Sequence, residues 1–366
     1  MKFMLISPKN RTVYNFRGDL LKEIKAKGYE VVVTGPNDDK VEKIEELGAR
    51  FVPIPLDKTG LGLAEDIKYI FSLWKLLRKE KPDITLGYTI KPVIYGALAA
   101  RLAGIKNINS MVTGTGYVYT AGTFKARVLK IMVSLLYSIG FKCAHTVIFQ
   151  NKDNLKEFTE RKLLKPDKCR LVNGSGVNMK RFKPTPFPEN LTFFMLSRVM
   201  YSKGIREYLQ AARILKTRHP EVKFMLLGAV EDLQDSMQMK DLVSFIEEGI
   251  INYYGETDDV RPYYEQCSVY VLPSYREGTP RTVLEAMATG RPIITTDAPG
   301  CRETVIEGVS GFLVPVRDSA ALAEKLQWFI EHPGQIEKMG QESLKLCKDK
   351  FDVHKVNVKM REFMNI

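Results

Sequence analysis

Short runs of β-branched and aromatic residues alternate with longer stretches of helical periodicity from the first residue to about residue 330. That alternation predicts parallel sheets covered by helices, an α/β fold. In the first half it predicts strands at 3–7, 30–34, 51–54, 84–87, 107–112 and 146–150. In the second half it predicts them at 192–197, 223–227, 251–254, 269–272 and 293–296, with a short one at 312–314. The first strand meets Pro8 and Lys9 too soon to supply the apolar region of a signal peptide, so it reads as a buried strand.

Between the halves lies Lys183-Pro184-Thr185-Pro186-Phe187-Pro188, whose prolines remove backbone donors and stiffen the chain. This predicts a first domain over 1–183, a linker over 184–190, a second domain over 191–350, and a last helix over 351–366 that returns to the first domain. A length of 366 residues exceeds one comfortable core and suits two domains.

Residues 123–142 carry Phe124, Val128, Ile131, Met132, Leu135, Leu136 and Ile139 at helical spacing. Lys125, Arg127 and Lys130 crowd the start of this helix, where cations oppose the macrodipole at up to about 1 kcal/mol each. An external anion would explain them; a core helix with solvated charges is the alternative. The longest uncharged apolar run, residues 131–141, is far short of the roughly 20 residues that span a bilayer.

Composition and charge narrow the chemistry. Hydrophobic residues make up 45% and charged residues 27%, as in a soluble globular enzyme. The five cysteines (Cys143, Cys169, Cys267, Cys301, Cys347) lie far apart with no metal-ligand spacing, which suggests reduced thiols and a cytoplasmic setting. The net charge of +12 sits unevenly: residues 1–190 hold 33 Lys+Arg against 18 Asp+Glu, and no acidic residue occurs from Ile84 to Lys152. An anion-attracting face is predicted there. Basic and aromatic residues form no recognised nucleic-acid module. The partner is then an anionic membrane surface or a polyphosphate, and a lipid diphosphate offers both.

The strongest chemical signal is Glu277-Gly278-Thr279-Pro280-Arg281-Thr282-Val283-Leu284-Glu285, which joins a strand end to a helix start. The N-H groups of a helix's first turn suit a diphosphate, and a carboxylate suits vicinal hydroxyls of a sugar or ribose. At the end of the second half's first strand, Arg198 and Lys203 supply two cations ahead of Gly204. Together they can neutralise a leaving diphosphate.

In these residues the second domain resembles the family 4 retaining glycosyltransferases. Arg198, Lys203-Gly204 and Glu277-(x7)-Glu285 match their donor-site signature in order and spacing, and Leu227-Gly228, Asp297 with Gly300 and Glu303, and Gly311-Phe312-Leu313-Val314 are similar. The resemblance implies the GT-B fold: two Rossmann-like parallel-sheet domains facing a cleft. It also implies a nucleotide-diphosphate sugar as co-substrate. Arg198 and Lys203 would hold the diphosphate, Glu285 the ribose, and Glu277 with Gly278 and Thr279 the donor sugar.

Two segments depart from the family pattern. Where many members have a Gly-Gly loop after the first strand, this chain has the stretch from Ser7 to Arg17. Where many place a histidine after the fifth strand, it has Val112-Thr113-Gly114-Thr115-Gly116-Tyr117. His145 reads as structural, and no side chain is assigned as a base. No metal is expected, since no Asp-x-Asp occurs and the two cations can take a metal's place. Within the family, Tyr14-Asn15-Phe16-Arg17 and Gly114-Thr115-Gly116-Tyr117 resemble enzymes that build bacterial surface glycans on a polyprenyl diphosphate. Arg17, Thr115, Gly116, Lys125, Arg127 and Lys130 are the residues predicted to meet acceptor or membrane. The expected donor is a UDP-sugar of N-acetylhexosamine or galactose type, and the expected location is peripheral, on the inner face of the cell membrane. Two alternatives remain: a nucleotide-sugar 2-epimerase on the same fold, and a membrane-docking module with a vestigial donor site.

Overall fold

The computed structural model describes residues 1–57, 62–114, 124–233 and 235–366, with the side chains of 124–127 left aside. The chain divides into two compact units, Met1–Ser175 with Val353–Ile366, and Gly176–Asp352.

The first unit is a sheet of seven parallel strands: β1 Lys2–Ile6, β2 Glu30–Gly35, β3 Arg50–Pro53, β4 Ile84–Tyr88, β5 Asn107–Val112, β6 Thr146–Phe149 and β7 Cys169–Leu171. Their order is β3-β2-β1-β4-β5-β6-β7. Alternate residues of each strand face opposite ways and build separate cores. Met4, Ile6, Val32, Val147 and Phe149 meet the helices Leu63–Glu80, Ala97–Leu102 and Phe124–Cys143. Phe3, Leu5, Val31 and Val33 meet the helix Gly18–Ala26 and the C-terminal helix Val353–Met364. Every strand predicted from the pattern is present. The additional β7 is a three-residue edge strand with Arg170 at its centre, too short and too polar to show as an apolar run.

The C-terminal helix docks by Val356, Met360 and Met364, a buried row at spacing four. Polar contacts fix its register. Asn357 donates to Glu23 Oε1 at 2.9 Å, and the Asn107 amide donates to Met364 O at 2.7 Å.

The second unit is a sheet of six parallel strands: β8 Thr192–Leu196, β9 Lys223–Leu227, β10 Asn252–Tyr253, β11 Val269–Leu272, β12 Ile293–Thr296 and β13 Gly311–Val314. Their order is β10-β9-β8-β11-β12-β13. The two α/β sheets give the fold class expected of a GT-B protein.

The division between units falls at Ser175 and Gly176, ahead of the proline-rich segment that the sequence marks as a linker. Prolines stiffen that segment, but the second unit holds it. The buried Arg291 guanidinium donates to Thr185 Oγ1 at 2.6 Å and Pro186 O at 2.9 Å, and lies over the Phe187 ring. Val177 N-H donates to Phe351 O at 2.8 Å, so the outgoing and returning segments run side by side where the chain changes units.

Candidate active site

In the second sheet the chain goes from β8 outward to β9 and β10, then resumes at β11 on the other side of β8. Loops that leave β8 and β11 therefore diverge, and open α/β sheets take ligands at such a switch point, at the carboxyl ends of the strands. Arg198 and Lys203 follow β8, and Glu277 follows β11.

Close backbone approaches hold the two loops together. Gly204 has φ +76°, and a Cβ there would meet Pro273 O at 2.2 Å, so no side chain fits where the turn after β8 crosses the loop after β11. Tyr275 N-H donates to Ser202 O at 2.9 Å across the same crossing. Lys203 Nζ consequently lies 2.5 Å from Glu277 Oε1, and the Ser274 hydroxyl donates to that same oxygen at 2.8 Å. The two charged side chains are only 21% and 14% exposed, so their attraction is little screened. From the other side, Glu277 N-H donates to Pro299 O at 2.9 Å. Gly300 passes so near that a Cβ would meet Glu277 O at 2.3 Å.

Pro280, extended at φ −70° and ψ 112°, leads into the helix Arg281–Ala288, whose first-turn N-H groups open on this edge. Gly278 and Pro280 are buried and Thr279 is half-buried. One turn on, Glu285 is buried between two partners. Arg281 Nε donates to its Oε1 at 3.2 Å, and the Tyr264 hydroxyl, 2.8 Å from Thr282 O, stands 3.1 Å from its Oε2. Burial pushes the Glu285 carboxyl above its ordinary range, while the Arg281 charge and the Tyr264 hydroxyl pull it back. Arg198 reaches outward, its Nη1 3.0 Å from Glu231 Oε2 after β9.

The structure thus joins Lys203 to Glu277, and gives Arg198 and Glu285 other partners on the same sheet edge. Ser274, Tyr264, Arg281 and Glu231 were missed from sequence. Ser274 could have been found, because it closes β11 two residues past its end; Tyr264 lies on a distant helix with no local signal.

In the first unit the switch point lies between β1 and β4. There the Tyr88 hydroxyl sits 2.7 Å from both Ser7 Oγ and Thr12 Oγ1. Arg17, predicted to meet acceptor or membrane, is buried with its guanidinium 5.3 Å from the Tyr88 ring centroid. It faces the interior because the stretch after β1 coils into the helix Asn10–Phe16, which carries it inward. Lys130, also predicted to meet acceptor or membrane, has an acidic neighbour. It pairs with Glu157 at 3.0 Å, and Lys91 pairs with the buried Asp66 at 2.6 Å, so acids from outside the acid-free stretch meet cations within it. Thr115 and Gly116, and the side chains of Lys125 and Arg127, lie outside the described residues. His145 Nδ1 accepts the Ile108 N-H at 3.0 Å, a structural use. Among the described residues no helix is long and apolar enough to cross a membrane.

Two family models match the chain. Residues 2–151 match the family model described as glycosyl transferase 4-like, and residues 177–346 match glycosyl transferases group 1. The chain is a family 4 glycosyltransferase. Relatives of this glycosyltransferase include the N,N'-diacetylbacillosaminyl-diphospho-undecaprenol alpha-1,3-N-acetylgalactosaminyltransferase of Campylobacter jejuni, 29% identical over 345 residues, with 90% of each chain covered. Another is the UDP-Gal:alpha-D-GlcNAc-diphosphoundecaprenol alpha-1,3-galactosyltransferase of Escherichia coli, 26% identical, with 78% of this chain and 75% of that protein covered. Among solved structures, Anabaena HepE in complex with UDP and glucose superposes with a TM-score of 0.80 at 17% identity, over 100% of this chain and 99% of that one. That likeness places the glycosyltransferase in the GT-B fold.

Proposed function

We propose that this glycosyltransferase moves a sugar from a UDP-sugar to a saccharide borne on a polyprenyl diphosphate, with retention of anomeric configuration, at the cytoplasmic face of a membrane. The observation that carries the reading is the Lys203–Glu277 pair, held at the switch point beside the start of the helix Arg281–Ala288. A cation, a carboxylate and helix N-H groups on one strand edge suit a sugar diphosphate. Two relatives that match along most of the chain act on diphosphoundecaprenol-linked sugars and form alpha linkages, which supports the acceptor class and retention.

In this reading the bond from the anomeric carbon to the diphosphate oxygen breaks, and its electron pair leaves with the diphosphate. The acceptor hydroxyl oxygen bonds to that carbon on the same face, and its proton passes to the departing diphosphate. Lys203 and Arg198 stabilise the charge that develops, Glu277 with Gly278 and Thr279 holds the sugar, and Glu285 holds the ribose. Stabilisation of this kind is a large term in catalysis. The two cations do the work of a divalent ion, and activity is expected to survive excess chelator.

The test incubates purified protein with UDP-sugars, with and without a lipid diphosphate saccharide, in chelator. Transfer only with the lipid supports the proposal. Epimerisation without acceptor, or neither reaction, overturns it, and recovery of transfer only on adding magnesium or manganese overturns the charge-compensation part.

A further inference from the structure

The helix Phe124–Cys143 is apolar on two opposite sides. Val133, Tyr137 and Phe141 face the core. Val128, Ile131, Met132, Leu135 and Ile139 face solvent, with Leu135 61% exposed. Most of the apolar stripe read from the sequence is therefore the outer row; Leu136 packs against the core, and the Phe124 side chain lies outside the described residues. The exposed row runs for about 17 Å along the axis at 1.5 Å per residue, unbroken by any charge on that side. Such an exposed apolar face on a monomer marks an interaction site.

A second helix repeats the pattern on the same side of the first sheet. Leu63–Glu80 buries Tyr69, Leu73 and Leu77 in the same core and leaves Leu63, Ile67 and Phe71 exposed. Beside these stand exposed Lys68, Lys75, Arg78 and Lys79 against the single exposed acid Glu65, and Lys75 Nζ lies 4.6 Å from the Phe71 ring centroid. Lys142 is the exposed charge at the far end of the other helix, which contains no acid. Apolar side chains flanked by long cations suit the boundary between acyl chains and anionic headgroups, where the stem packs and the ammonium reaches phosphate.

We infer that the outer stripe of the helix Phe124–Cys143, together with Leu63, Ile67 and Phe71 of the helix Leu63–Glu80, inserts into an anionic lipid bilayer; both helices pack against the helix Ala97–Leu102 between them. This deepens the membrane reading above and replaces its electrostatic basis: insertion of the apolar row holds the protein, and the cations adjust it. A protein–protein contact would be expected to carry acids opposite these cations when a second copy docks, and this face offers scarcely any.

The experiment uses the full chain and vesicles of phosphatidylcholine with phosphatidylglycerol. The triple variant Ile131→Gln, Leu135→Gln, Ile139→Gln should lower vesicle partitioning at least tenfold at both low and high salt, with thermal unfolding changed little because all three side chains are exposed. Leu135→Trp should be quenched by brominated lipid beyond the signal of the native tryptophans. Transfer to a soluble short-chain diphosphate acceptor is read in parallel. If the triple variant keeps that transfer and loses flotation, insertion stands. If neither protein transfers while wild type still floats and the variant does not, the acceptor reading fails and insertion stands. Flotation unchanged by the substitutions, absence of quenching, or a wild-type dimer that the triple variant dissociates would overturn it.

Discussion

Lys203 Nζ lies 2.5 Å from Glu277 Oε1, although the residues are 74 positions apart. Ser274 donates to that oxygen as well, so the carboxylate is held from two sides. Removing Lys203 takes away a cation whose effect is greatest when the diphosphate leaves. Lys203→Ala should lower kcat by roughly 10² to 10³, on the scale of an oxyanion-hole donor. Glu277→Ala should leave UDP binding nearly normal while transfer collapses, because the carboxylate serves the sugar. Calorimetry with UDP beside transfer kinetics checks both, and loss of UDP binding in Glu277→Ala would refute the assignment.

Arg198 meets Glu231 where both side chains are substantially exposed, and such pairs contribute little, about 0–1 kcal/mol. Glu231→Gln should therefore leave stability unchanged and tighten UDP binding by no more than about fivefold, the scale of that pair. Arg198→Ala should cost roughly 10² in kcat whether or not Glu231 is present. Kinetics of the two single variants and the double variant decide it. A large rate loss in Glu231→Gln would mean that the acid aims Arg198 rather than competing for it.

What the sequence made legible here was periodic or local. Strands showed as β-branched runs, and Lys203 with Glu277 showed as residues at strand ends. The partners of those residues were hidden because they come from other elements: Tyr264 on Glu285, Glu231 on Arg198, and Glu157 on Lys130. The acid-free stretch illustrates the limit. A charge count along the chain cannot see that Asp66, on a neighbouring helix, meets Lys91. The apolar stripe from Val128 to Ile139 had the right spacing for either side of a helix, and only the position of the second apolar row beneath it showed which side was outward.

Gly300 and Gly290 share a φ of +80°, but a Cβ at Gly300 meets Glu277 O at 2.3 Å whereas at Gly290 it meets nothing within 4 Å. Gly290→Ala should cost only the left-handed backbone penalty, about 1 kcal/mol. Gly300→Ala adds a backbone collision that displaces Glu277, so it should lower Tm further and reduce kcat about tenfold or more. Thermal unfolding and transfer rates of the two variants compare one conformation with and without the collision. Equal effects would show that the loop after β12 does not position Glu277.

Glu285 supplies the pH test. Burial raises its carboxyl above the ordinary value of 4.5, opposed by Arg281 and the Tyr264 hydroxyl. Because the folded state binds this proton more tightly than the unfolded chain, the contribution to stability is complete below the ordinary value and is lost as pH rises through the folded one. Function runs the other way. Ribose hydroxyls donate to an ionised carboxylate, so donor binding should weaken as pH falls through the raised value, on the alkaline side of 4.5. A UDP-sugar, with its diphosphate esterified at both ends, has no phosphate titrating in that window, and its KM therefore reports the enzyme. Arg281→Met removes the charge that opposes burial and should move the acid limb of the donor KM to higher pH, with a loss of stability because Arg281 also holds Gly176 O. Arg281→Lys should move it less, since the charge is kept. Glu285→Gln should raise the donor KM at neutral pH and abolish the acid limb while kcat changes little, as for a contact made equally before and during reaction. An acid limb that survives Glu285→Gln, or that stays fixed in Arg281→Met, would assign the titration to another group and remove Glu285 from the ribose.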